Sequence, residues 1–142
     1  MPTQGWVLTE DDVADLVDSV VRSARERGNA VSVAVVEQGG HIVGLRRMDG
    51  ARLPSTHVSA MKAWTSAMFQ RPSGAYGEST APGGGAFGLW NAFPGYLVPV
   101  AGGHPIVVHG ACVGGLGVSG GTSEEDDSLA AEAVAAIRAR YA

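Results

Sequence analysis

The chain has 142 residues, 45% hydrophobic and 17% charged, with 10 Lys plus Arg against 14 Asp plus Glu for a formal charge of −4. That length suits one domain over residues 1–142, able to bury roughly two thirds of its unfolded surface without disulfides or a structural metal. Few and scattered basic residues argue against a nucleic-acid partner, because phosphate binding needs a basic stripe, and no apolar run approaches the roughly 20 residues of a membrane helix. A single cysteine, Cys112, cannot close an internal disulfide. The polar, acidic start carries no signal peptide, which makes a cytoplasmic location the expectation.

In chain order, Thr9 and Asp12 form a capping box, and Val13, Leu16, Val17, Val20 and Ala24 recur at helical spacing up to Gly28-Asn29. Ala30–Glu37 and His41–Met48 then read as a β-hairpin around Gln38-Gly39-Gly40. Pro54-Ser55 opens a second helix reaching Phe69. Val58, Met61, Thr65 and Met68 lie on one side of it and Ser55, Ser59, Lys62 and Ser66 on another, so one face reads as core and another as polar. Gln70 to Gly95 mixes Pro72, Pro82, Pro94 and Gly83-Gly84-Gly85 with Tyr76, Phe87, Trp90 and Phe93. A loop of that length is usually functional or disordered; the aromatics favour the former and suit either a lid or a subunit contact. Three strands follow, Tyr96–Val100, Pro105–Val108 and Ala111–Ser119, with Pro99 placing the first at an edge or a bulge. Thr122 and Ser123 cap a last helix buried through Leu129, Ala133, Val134 and Ile137. The order α, β, β, α, loop, β, β, β, α gives an α+β fold with a five-stranded, mainly antiparallel sheet covered by helices.

Several runs together carry a resemblance: Arg47-Met48-Asp49-Gly50-Ala51, Ser55, Ala60-Met61-Lys62-Ala63, Gly102-Gly103-His104-Pro105, and Gly114 to Gly121 ahead of an acidic helix start. From about Leu8 to the C-terminus the chain resembles the GlcG/HbpS family, described as haem-degrading or haem-binding, which also supplies the C-terminal domain of PduO-type proteins. The resemblance implies profilin-like α/β/α layers, assembly into dimers or larger homo-oligomers and, in some members, binding of haem or a corrinoid. Haem enters as a cofactor only through this resemblance. The first helix holds no histidine, so an iron ligand would be His41, His57, His104, His109 or a non-histidine group. His104 stands where the family usually has a small aliphatic residue.

The residues offer their own candidates. Lys62, among Ser59, Ala63 and Ser66, can bind a carboxylate or act as a base or amine nucleophile if desolvated; the alternative is structural pairing with Asp49 or an acid of the last helix. Arg47 has the fork that grips a carboxylate, and Asp49 can orient Lys62 or take a proton, against the plainer reading of a solvated strand end and an Asp-Gly turn. Gly102-Gly103 lets a ligand approach the backbone, although turn geometry explains such pairs equally well. Ser55, Trp64 and Asp126 complete the expected ligand contacts. His57 and His104 have the pKa range for proton transfer at neutral pH, and the histidine spacing matches no zinc signature, so no metal site is assigned. Two functions remain. One is a small-molecule-binding protein taking haem or another planar carboxylated ligand between the Lys62 helix, the Gly102-Gly103 turn and the aromatic loop. The other is a cofactor-independent enzyme working on a small organic acid or pathway intermediate, with Lys62, Asp49, His57 and His104 doing acid-base work.

Overall fold

The computed structural model describes residues 7–142. Helix α1 (Glu10–Glu26) begins at the expected capping box: the Thr9 hydroxyl accepts from the Asp12 N–H at 3.1 Å, and the Asp12 carboxylate accepts from the Thr9 N–H at 3.1 Å. It ends at Arg27, followed by Gly28 with φ 72°. The hairpin is β1 (Ser32–Glu37) and β2 (Ile42–Arg47); β3 (Gly103–Val108) and β4 (Ala111–Ser119) complete a sheet in the order β2-β1-β4-β3, antiparallel throughout. Helix α4 (Ser123–Arg140) repeats the capping box with Thr122 and Glu125.

Strand alternation sorts the side chains into two cores. Val31, Val33, Val35, Ile106, Leu116 and Val118 face α1 and α4 and form the larger one, with Leu16, Val20, Leu129 and Ile137. Ala34 and Val36 face the second long helix, α2 (Ser55–Phe69), in a smaller cluster with Ala63 and Ala67. The result is the expected α/β/α layering of an α+β fold. Among the described residues no helix is long and apolar enough to cross a membrane.

Two expectations are corrected. The sheet has four strands among the described residues, because Tyr96–Val100 forms none. Its backbone bonds to α2 and to the turn after it instead: the Thr65 hydroxyl accepts from the Val98 N–H at 3.0 Å and donates to the Tyr96 carbonyl at 3.3 Å, while the Ser73 hydroxyl donates to the Val100 carbonyl. Pro99, with no N–H, cannot contribute to a ladder. Between α2 and this segment the chain makes short helical turns at Ser73–Tyr76 and Leu89–Ala92 and the one-turn helix α3 (Gly77–Thr80).

The faces of α2 are also reversed. Ser55, Ser59, Lys62 and Ser66, read as the polar side, are buried against the sheet, whereas of the expected core side Thr65 is buried and Val58, Met61 and Met68 are only half-buried. The cause lies in β4. A Cβ placed on Gly115 would meet the Ala63 carbonyl oxygen, and one on Gly117 the Ser59 carbonyl oxygen, each inside van der Waals separation. The helix therefore rests its backbone directly on a floor of glycine, and only small side chains fit between. Its serines return their hydroxyls to helix carbonyls, Ser59 to Thr56 at 2.9 Å and Ser66 to Ala63 at 2.9 Å, so that burying them leaves no unmet donor.

Candidate functional site

Lys62 is the exception on that small-residue face. It is 2% exposed, and its Nζ donates to the Val118 carbonyl at 2.9 Å and to Asp126 Oδ2 at 3.1 Å. The other Asp126 oxygen accepts from the Gly121 N–H at 2.9 Å. The side chain thus runs from the α2 layer to the first turn of α4, past the end of the sheet. Gly102 leaves it room: with φ +129°, a Cβ there would lie 2.7 Å from Nζ. Gly103 is pressed against the Lys62 carbonyl and donates its N–H to Ser73 Oγ at 2.8 Å. Four of the expected site residues, Lys62, Asp126, Gly102 and Gly103, therefore meet in one sealed knot whose donors and acceptors satisfy one another. Asp49, considered as an orienting partner of Lys62, sits exposed on the turn after β2.

On the outer side of α2, His57, Ala60, Met61 and Trp64 recur at i, i+3, i+4 and i+7 and line one stripe. With Val36, Gly40, Ile42, Gly95 and Tyr96 they enclose an open cavity of about 340 Å³, at the small end of the range for ligand sites. Trp64 forms its back wall. The indole packs beside Phe93 and Tyr96, with ring centroids 5.4 and 5.3 Å away, and lies close enough to Gly40 that a Cβ there would be 2.7 Å from the ring. His57 lies exposed at the mouth, and no carboxylate lines the cavity.

The remaining candidates are scattered. Ser55 is buried in the first turn of α2, its hydroxyl donating to the Arg52 carbonyl at 2.5 Å and lying 2.8 Å from the Ser32 hydroxyl. His104 lies on the opposite face of the sheet, its Nε2 2.8 Å from Asp127 Oδ1 of α4. His41 Nδ1 is 3.0 Å from Glu37 Oε1, and the His41 N–H and ring together hold the Glu37 carboxyl below its usual pKa. Burial pushes the Cys112 thiol up. Arg47 ends β2, exposed. Among the described residues no three His, Cys, Asp or Glu converge on a metal position. Tyr96, Met61, Ala60 and Ile42 were not singled out as site residues from the sequence; the signal for the two on α2 was the helical stripe joining His57 to Trp64, while Tyr96 and Ile42 arrive from distant segments.

A sequence model of the family described as haem degrading protein HbpS-like matches residues 8–135. Corrinoid adenosyltransferase PduO of Citrobacter freundii is 31% identical over 133 residues, which cover 94% of this chain and 40% of that protein. The chain thus spans about two fifths of the length of PduO. Protein GlcG of Escherichia coli K12 is 31% identical over 113 residues, 80% of this chain and 81% of GlcG. Among solved structures, a PduOC:heme complex superposes with a TM-score of 0.88 at 30% identity, covering 92% of this chain and 95% of that one.

Proposed function

The chain belongs to the HbpS-like family, and from that premise we propose that it binds a planar ligand, haem by family precedent, in the cavity between α2 and the sheet edge. The observation that carries this reading is the cavity itself: apolar and aromatic walls, an imidazole at the mouth and no carboxylate in the lining. Apolar faces closed by an aromatic back wall suit a flat, hydrophobic molecule. The lining suits an edge of a haem: Ile42, Met61 and Trp64 would lie against the macrocycle, and His57 would be the imidazole for its iron. The iron would bring redox and oxygen chemistry, and the protein would contribute its ligand and the polarity around it. Two of the other histidines already face carboxylates, His41 facing Glu37 and His104 facing Asp127. Titrating the purified protein with haemin tests the proposal: a saturable Soret shift at one equivalent per chain is expected, weakened at least about tenfold in His57→Ala and retained in His104→Ala. Binding indifferent to His57→Ala would overturn it.

The homo-oligomer that the resemblance implies stays part of this reading, and sedimentation equilibrium distinguishes it from a monomer. An acid-base enzyme is the second reading, favoured by the His104–Asp127 pair alone, and loss of a detected turnover in His104→Ala with the fold intact would support it.

A further inference from the structure

The open strip beside the cavity carries a cation that the reading above does not use. In the β1–β2 register Ser32 pairs with Arg47, Ala34 with Leu45 and Val36 with Ile42, and the irregularity between Val35 and Val36 absorbs Val43 as an extra residue. Ser32 bonds to Ser55 of α2, and Ala34 and Val36 belong to the cluster under α2. Their cross-strand partners therefore share that face, so Ile42, Leu45 and Arg47 form a row along the α2 side of the edge strand. The helix does not cover this row: Ile42 is 55% exposed and Leu45 43%. Ile42 belongs to both the cavity lining and this row, and from it the row leads along the strand through Leu45 to Arg47.

The two adjacent arginines are treated differently. Arg46, on the α1 face, lies 3.3 Å from Asp18. Arg47 makes no hydrogen bond or ion pair among the described residues, in a chain where acids outnumber bases. An exposed apolar strand face that starts at the aromatic cavity and ends at a two-pronged donor without an ion-pair partner among the described residues is complementary to a ring system bearing a carboxylate. The cavity volume limits how much of the ring system is enclosed.

We propose that the cavity and this strand face form a trough that also accepts a flat aromatic acid of one or two fused rings, its rings between Ile42, Met61 and Trp64 and its carboxylate on Arg47. The proposal rests on the reading of the His57 cavity as the ligand site and names a second, smaller ligand class for it. A charge-assisted, two-pronged contact is stronger than a neutral hydrogen bond and demands a planar anion. Calorimetric titration with 2-naphthoate and its neutral isostere 2-naphthamide provides the test. Saturable one-to-one binding of the acid is expected, at least about fivefold tighter than the amide, and Arg47→Met should bring the acid down to the amide while leaving the amide unchanged. Leu45→Glu, which places an anion in the trough, should weaken the acid more than the amide. Equal binding of acid and amide to the wild type, or an acid affinity unchanged in Arg47→Met, overturns the assignment of Arg47. If neither probe binds while haemin still binds through His57, the ligand class is overturned and the cavity reading stands; if haemin also fails, the cavity reading falls with it.

Discussion

Removing the carboxylate opposite Lys62 should be among the most damaging single changes in the molecule. The ammonium is buried, bonded to Asp126 and to the Val118 carbonyl, and a buried charge stripped of its partner typically costs about 3–5 kcal/mol. Urea denaturation of Asp126→Asn should show a loss of that order. Lys62→Met, which keeps the volume but strands the carboxylate, should lose stability too, and the double variant should lose clearly less than the sum. An additive double variant would mean that the two groups are not coupled. Cys112 gives a milder test at this scale: because burial raises its pKa, its reaction with a thiol reagent at pH 8 should be slower than that of free cysteine. The sequence singled out Lys62 from its small neighbours yet left its partner open between Asp49 and an acid of the last helix. Helical spacing relates residues within one element, and the acid that neutralises Lys62 lies 64 positions away across the end of the sheet.

At the scale of elements, α2 shows how far periodicity reaches and where it misleads. Its start at Ser55, its end at Phe69, the capping box of α1, the hydroxyl cap of α4 and the β1–β2 hairpin followed from local chemistry. Its orientation did not, because hydrophobicity normally marks the buried face, whereas here the floor is glycine and the buried face is chosen for size. Tyr96–Val100 failed as a strand for a related reason, since its alternating residues satisfy their backbone through the Thr65 and Ser73 hydroxyls. The candidate site was legible only in pieces. His57 and Trp64 were named, but the cavity joins α2 to Ile42 and Tyr96, a juxtaposition no local pattern encodes. The glycine floor predicts that Gly117→Ala, whose new methyl would strike the Ser59 carbonyl, costs at least about 1–3 kcal/mol. Because the displaced helix carries His57, Met61 and Trp64, haemin affinity should fall in the folded variant as well. Undiminished stability would show that α2 can lift without cost.

For the whole molecule, the two ends of the described chain are fastened to each other through one carboxylate. Asp12 is 2% exposed and accepts from the Tyr141 hydroxyl at 2.6 Å, from Arg140 at 3.0 Å and from the Thr9 N–H, joining the first turn of α1 to the end of α4. Burial alone would raise its pKa, but the bonds from Tyr141, Thr9 and Arg140 outweigh that and hold the carboxyl below its usual value. A carboxyl whose folded pKa is depressed contributes stability that is fully present above its unfolded pKa and disappears as the pH falls through the folded one. With an unfolded pKa of about 4, Asp12→Asn should therefore be clearly less stable than wild type at pH 7, and the gap should narrow as the pH drops below about 4. Tyr141→Phe removes one bond to the carboxylate and keeps the capping box, so it should lose about 1.5–3 kcal/mol at pH 7 and retain part of the acid dependence. Chemical denaturation of all three proteins at pH 7 and across the acid range separates these effects. If the Asp12→Asn gap stayed constant through the acid range, its stabilising role would be neutral hydrogen bonding and not the carboxylate charge.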